Sequence, residues 1–277
     1  MDAAATSRRE LLRLTAKDPI DLFRASLAVA REEYPDLDEE SYVHKLDELA
    51  ALALRGIPSG ASIERRVGRL NAFLFHELGF DGNRSDYYDP KNSFLNEVVD
   101  RRTGIPLTLC VLYMEVGRRC GLEVHGVGFP GHFLCKVALD DGELVVDPFH
   151  RGHLLGLDEI KKRLASAVGH KVPFDARVLR PARPKEILVR MLQNLRTVYE
   201  TKQDPVRALS AVDRLLLLAP QNIRGLRDRA AICEKLGGAL AAATDLERVL
   251  ELDPAATDAS ALRARVRKLR GAGAFMN

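Results

Sequence analysis

The fold is decided by residues 104–121, GIPLTLCVLYMEVGRRCG, and by the stretch that follows, residues 124–149, VHGVGFPGHFLCKVALDDGELVVDPF. Pro106 suits the first turn of a helix and Gly121 suits its end, so the first stretch predicts a buried helix. In the second stretch the spacing of apolar residues changes to the alternation that is typical of strands, and the DDGE turn at residues 140–143 indicates a β-hairpin. A buried helix followed by a hairpin predicts an α+β core.

Three side chains in these stretches have the types that thiol chemistry needs. Cys110 lies about one turn inside the predicted helix, whose positive end favours a thiolate. His132 opens the first hairpin strand and Asp147 closes the second. A turn centred on residues 141–142 places Lys136 opposite Asp147, with His132 one cross-strand step beyond on the same face. The hairpin therefore predicts an imidazole and a carboxylate side by side, as a nucleophilic cysteine requires.

Simpler interpretations of the same residues stay open. Cys110 fills space in an apolar helix as readily as it reacts. His132 would equally cap the turn after residues 130–131, and Asp147 would equally pair with Lys136 or begin the turn at Pro148. The cysteine lies on the predicted helix, the histidine opens the first hairpin strand and the aspartate closes the second. This order of Cys, His and Asp favours a single site, catalytic or formerly catalytic.

A metal site is the weaker alternative for this region. Asp147, His150 and His153, at spacings of three residues, would with His125 offer a set of metal ligands. The loop that carries them is short and flanked by glycine, and we therefore expect no metal. No dinucleotide or phosphate-binding motif is found either, so no cofactor is expected.

The rest of the chain predicts helices on both sides of this core. Residues 1–60 have helical spacing and end at the GIPSG breaker of residues 56–60. Residues 212–220, VDRLLLLAP, align with residues 246–254, LERVLELDP, at an offset of 34, which is the tetratricopeptide period. We therefore expect three domains: a helical lead-in at 1–60, the core at 61–180 and a helical repeat domain at 181–277.

Composition excludes several classes of function. The chain has 42 basic and 39 acidic residues, which is too balanced to indicate a nucleic-acid or membrane partner. No apolar run approaches the length of roughly 20 residues that a membrane span needs, and the start lacks the apolar region of a secretory signal. Four cysteines without a CxxC pair are expected to be free thiols. A cytoplasmic protein is the expectation.

Five separated blocks also carry a family resemblance. They are FLFHELGF at 73–80, YYDPKNSFLN at 87–96, RTGIP at 102–106, GVGFPGHF at 126–133 and VDPF at 146–149. Together they resemble the bacterial SirB-type family, which joins a transglutaminase-like domain to tetratricopeptide repeats. The resemblance implies a papain-like fold with Cys110, His132 and Asp147 at the three active-site positions. In many members the position that matches Cys110 holds serine or alanine.

Two functions follow from the residues and the resemblance together. We expect a protein- or peptide-binding module with a residual Cys-His-Asp site. The alternative is an active cysteine-dependent amide hydrolase or acyltransferase, in which Cys110 attacks a carbonyl, His132 moves the proton and Asp147 holds the imidazole. In that alternative the Cys110 N–H, with the side chain of Asn96, would receive the oxyanion. Either function predicts a protein or peptide partner, and the oligomeric state stays open.

Overall fold

Helices precede the core in the computed structural model, which describes residues 3–169 and 173–274. They are α1 (Ala3–Thr15), α2 (Leu22–Ala30), α3 (Glu39–Ala53) and α4 (Ile63–Asn71), and a π-helical turn, Ala72–Glu77, continues α4. Side chains that accept hydrogen bonds from free amides of the first turn cap α2, α3 and α4: Asp21, Asp38 and Ser62. The chain divides into two compact units, Met1–Leu188 and Val189–Asn277, and these helices belong to the first.

Helix α6 (Pro106–Arg119) is the buried helix that residues 104–121 predict. Pro106 is its first residue, and Gly121 follows its end with a φ of +74°, a conformation that glycine adopts without strain. The short helix α5 (Leu95–Arg101) precedes it, and strands β1 (Asp81–Gly82) and β2 (Thr103–Gly104) pair in parallel beside it. Tyr113, in the middle of α6, is completely buried, and its ring stacks on Phe75 at a centroid distance of 6.0 Å.

We expect Tyr113→Phe to stabilise the protein by about 1 kcal/mol. Among the described residues, none forms a hydrogen bond with the Tyr113 hydroxyl, so folding strips this group of water without replacing the lost bonds. Urea unfolding of wild type and variant measures the difference. Tyr88→Phe is the control, because Tyr88 is exposed and its hydroxyl keeps its water in either state. A less stable Tyr113→Phe would mean that the hydroxyl has a buried partner.

A four-stranded antiparallel sheet follows α6. Its strands are β3 (Val124–Val127), β4 (Leu134–Leu139), β5 (Gly142–Asp147) and β6 (His153–Leu155), in that order across the sheet. The predicted hairpin is present, but its register was wrong by two residues. Ala138 faces Glu143 and Lys136 faces Val145, so residues 140–141 form the turn. A shift of two residues leaves every side chain on its predicted face, because the side-chain period of a strand is two.

The two faces of the sheet pack on different helices. On one face, the Cys135 thiol donates a hydrogen bond to the Cys110 carbonyl of α6, at 3.5 Å. On the other face, Leu134 and Val145 form a core with Ile160 of helix α7 (Leu157–Val168). Because Asp147 lies two residues beyond Val145 on the same strand, it shares the α7 face. Asp147 therefore lies on the face of the sheet that α7 covers, and this places its carboxylate within reach of side chains on α7.

The second unit contains helical pairs in the tetratricopeptide pattern. Helix α8 (Pro184–Thr201) spans the division between the units, and α9 (Pro205–Leu218), α10 (Ile223–Lys235), α11 (Ala239–Leu252) and α12 (Ala259–Ala274) follow. The 34-residue repeat assigns nine residues to its small and large positions, and seven of them are buried: Leu192, Leu195, Tyr199, Ala208, Leu226, Cys233 and Ala242. The other two, Pro220 and Pro254, are exposed. Across the described residues, no helix combines the length and the apolarity that crossing a bilayer requires.

Candidate functional site

Asp147 is the centre of the candidate site. Its side chain is completely buried at the end of β5, and four groups surround its carboxylate. The Phe149 amide donates to Oδ1 at 3.1 Å, and Arg163 of α7 donates through Nη1 to Oδ2 at 2.6 Å. His150 Nδ1 lies 2.7 Å from Oδ2, and His132 Nε2 lies 3.0 Å from each oxygen. The carboxylate is therefore fully engaged by donors of its own unit.

These donors set the ionisation of Asp147. Burial by itself would raise the pKa of the carboxyl. Hydrogen bonds from His132, Arg163 and His150, and the electrostatic interaction with the His132 imidazole, act in the opposite direction. Together they outweigh burial and hold the pKa of Asp147 well below its ordinary value. The group is a carboxylate throughout the physiological range and accepts from every neighbour.

His132 reaches this carboxylate from the loop before β4. Gly131 has a φ of +69°, which suits glycine, and the His132 amide donates to the Phe129 carbonyl at 3.1 Å. The loop thereby turns the imidazole toward Asp147, where it is 17% exposed. Phe149 packs edge-on against the ring at a centroid distance of 5.9 Å. The structure brings His132 and Asp147 together, while Lys136 pairs instead with Glu143 at 2.6 Å.

Cys110 lies on α6, the helix that packs against the Cys135 face of the sheet. It is the fifth residue of α6, and its side chain is 0% exposed. Its thiol donates to the backbone carbonyl of Phe133, in the residue next to His132, at 3.4 Å. The Leu109 amide already bonds to the Ile105 carbonyl, so the Cys110 amide, one residue further on, belongs to the regular helical ladder. The structure thus places the thiol against the β4 backbone from the α6 side.

Asn96 is the second residue of α5, in the first unit, and lines a cavity of about 370 Å³ that Tyr34 and Tyr42 also line. The residue is buried, and among the described residues none hydrogen-bonds its Oδ1. This cavity adjoins the connection between α2 and α3. The oxyanion role of Asn96 stays a prediction.

The sequence did not predict Arg163, and it grouped His150 with Asp147 in a larger set of possible metal ligands. Arg163 lies on α7, and its only local signal is the i, i+4 pair that it forms with Glu159. Such pairs are common on exposed helices, so nothing in the sequence pointed this arginine at Asp147. That set also contained His153 and His125. In the structure these two lie on other carboxylates, His153 on Glu159 and His125 on Glu123, each at 2.9 Å.

Two family models match the chain. Residues 40–193 match the family model of the transglutaminase-like superfamily, and residues 195–267 match that of the tetratricopeptide repeat. No solved structure shows a significant match.

The curated relatives extend this likeness over most of the chain. A UPF0162 protein of Xylella fastidiosa is 39% identical over 249 residues, which are 89% of each chain. A UPF0162 protein of Pseudomonas aeruginosa is 32% identical over 263 residues, covering 95% of this chain and 96% of that one. The F-box only protein 21 of Mus musculus is 28% identical over 72% of this chain and 35% of its own length. The chain therefore belongs to the UPF0162 family of transglutaminase-like proteins that carry C-terminal tetratricopeptide repeats.

Proposed function

We propose that this protein is a protein- or peptide-binding module in which Cys110, His132 and Asp147 are a residual site. The observation that carries the proposal is the position of Cys110. A nucleophilic cysteine needs contact with solvent or with its substrate. The Cys110 residue is 0% exposed, and its thiol donates a hydrogen bond to the Phe133 carbonyl. The thiol therefore behaves as part of the packing between α6 and β4.

Catalysis would also require donors that stabilise an oxyanion. The predicted donor was the Cys110 amide, and a regular helix uses the amide of its fifth residue internally. The stabilising donors must point at the place where negative charge develops, and an amide inside the helical ladder points along the helix axis. This favours binding over turnover.

The repeat unit supports a protein or peptide as the partner. Tetratricopeptide helices stack into extended surfaces that bind other chains. Side chains of the second unit remain exposed in spite of their apolar character: Val206, Leu217, Leu236 and Leu240. Apolar side chains at the surface are available to a partner without unfolding the unit.

One observation favours the alternative, a cysteine-dependent hydrolase or acyltransferase. His132 and Asp147 form the pair that orients an imidazole in such enzymes, with Nε2 at 3.0 Å from both carboxylate oxygens. The pair by itself has other uses, because a buried carboxylate needs donors whether or not chemistry follows. The two functions therefore differ in what the thiol does.

The test separates binding from turnover. Peptides are selected from a random display library on the full chain, and one synthetic peptide is then measured with wild type and with Cys110→Ser. We expect the two dissociation constants to agree within about twofold, since binding does not use the thiol. Mass spectrometry of the same mixtures should show the peptide intact and the protein unmodified. Cleavage or acylation by wild type that Cys110→Ser lacks would establish the hydrolase or acyltransferase, and failure to select any peptide would contradict the binding module.

Three finer assignments belong to the same proposal. The five sequence blocks support membership of the SirB type. The four cysteines, all buried and free, support a reducing compartment such as the cytoplasm. The division into domains at residues 60 and 180 stays a prediction.

A further inference from the structure

We propose that His132, Asp147 and His150 form a binding site for a divalent transition-metal ion of the class that imidazole ligands prefer, with Zn²⁺ as its representative. One ligand atom from each residue lies within 4.8 Å of the other two. Two imidazole nitrogens and one carboxylate oxygen are a ligand set for which zinc and iron sites in proteins are well known. The proposal goes beyond the proposed function, since it assigns this cluster a ligand rather than a part in peptide binding.

The distances suit an ion between the three groups. Zinc bonds to nitrogen and oxygen ligands are about 2.0–2.2 Å long, so the ligand atoms of a tetrahedral site lie about 3.3 Å apart. His132 Nε2 and His150 Nδ1 now lie 3.0 Å and 2.7 Å from the same oxygen, Asp147 Oδ2. An ion that replaces the protons on these two nitrogens has to move them away from this oxygen by about 0.3 Å and about 0.6 Å. The two nitrogens themselves lie within 4.8 Å of each other. Both rings already present a nitrogen to the shared carboxylate.

The groups that would hold the metal ligands in place are also present. Metal-binding carboxylates are usually held by hydrogen bonds from outside the ligand shell. The Phe149 amide holds Oδ1 at 3.1 Å, and Arg163 holds Oδ2 at 2.6 Å. The Phe149 ring also packs edge-on against both imidazoles, at 5.9 Å and 5.2 Å between centroids, which restrains their orientation. The cluster is therefore preorganised by groups that do not themselves bind the ion.

Exposure leaves room for a further ligand. The Asp147 side chain is 0% exposed and His132 is 17% exposed, whereas His150 is 44% exposed. The cluster consequently opens to solvent on the His150 side, where water or a partner's side chain would complete the coordination. Arg163 offsets part of the carboxylate charge and limits the affinity, so we expect dissociation constants in the micromolar range.

The test uses the full chain without a histidine tag, stripped of metals by a chelator and titrated with ZnCl₂ in a calorimeter. We expect one site per chain. His150→Ala and His132→Ala should each weaken binding by at least about tenfold. His153→Ala is the matched control, because this exposed histidine lies three residues beyond His150 but pairs with Glu159, and it should bind as wild type does. Circular dichroism establishes that each variant is folded.

Co²⁺ in place of Zn²⁺ gives a second measurement. Its visible absorption intensifies on coordination by imidazole at low coordination number, and this band should appear with wild type and disappear with His150→Ala. Absence of a stoichiometric Zn²⁺ site, or Zn²⁺ binding that His150→Ala leaves unchanged, would overturn the proposal. Neither result would affect the peptide measurements, so this inference and the proposed function fail separately.

Discussion

Replacing Asp147 with alanine should destabilise the protein by about 3–5 kcal/mol, the range for removing one partner of a buried ionic network. The side chain is completely buried, and Arg163, His132 and His150 converge on it. Without the carboxylate, the Arg163 guanidinium is left partly buried without this counter-charge, and the Phe149 amide loses its acceptor. Buried donors that lose their acceptor are among the costliest single changes in a protein.

Urea unfolding of wild type, Asp147→Ala and Asp147→Asn measures this loss. Asp147→Asn keeps the shape and one acceptor oxygen, so we expect an intermediate stability. Asp175→Ala is the control: Asp175 also pairs with an arginine, Arg177, but both lie at the surface, where such pairs contribute little. If Asp147→Ala were as stable as Asp175→Ala, the carboxylate network would not hold β5 and α7 together as described.

The repeat unit contains the second large effect. Arg229 of α10 donates to Asp245 of α11 through Nε and Nη2, at 2.8 Å and 2.7 Å, and to Asp213 of α9 through Nη1 at 3.0 Å. Asp245 is 4% exposed. One guanidinium thus links three successive helices. Arg229→Ala leaves a buried carboxylate without this partner, and we expect it to destabilise the protein by about 2–3 kcal/mol, somewhat less than a fully buried pair because Arg229 itself is partly exposed.

Thermal and urea unfolding followed by circular dichroism would measure this effect. Arg229→Lys retains the charge but cannot form the paired bonds to Asp245, so its stability should lie between those of wild type and Arg229→Ala. Arg248→Ala removes an arginine of α11 that pairs with the exposed Glu251, three residues further along the same helix, and should unfold as wild type does. Equal stability of Arg229→Ala and Arg248→Ala would contradict the linking role.

Local patterns predicted the elements that carry the site. The Pro106 and Gly121 signals bounded α6, and alternation in residues 133–147 identified the hairpin and the face of each side chain. The register was wrong because both the residue pair 140–141 and the pair 141–142 have turn chemistry, and local sequence does not choose between them. Side-chain direction was unaffected, so the prediction that His132 and Asp147 share a face was insensitive to this error.

Partners that are distant in sequence could not be predicted in the same way. Arg163 contacts Asp147 because α7 covers that face of the sheet. The helical spacing of apolar residues predicts which side of α7 is buried, but it does not predict which strand that side packs against. The Arg229 network joins residues 16 positions apart on three helices, a spacing that repeat periodicity does not mark. The burial of Cys110 is likewise a result of packing: its place near the start of a helix was predictable, but its contact with the Phe133 carbonyl was not.

The reactivity of the Cys110 thiol tests the central claim most directly. Native protein is treated with iodoacetamide across a range of pH, and modification of each cysteine is followed by peptide mass mapping in wild type and His132→Ala. Cys135, which is also 0% exposed, is the internal comparator. We predict that Cys110 reacts as slowly as Cys135, becomes reactive only on unfolding, and does not respond to His132→Ala. Alkylation of Cys110 near pH 7 faster than an ordinary thiol, and slowed by His132→Ala, would contradict the account and identify an active nucleophile.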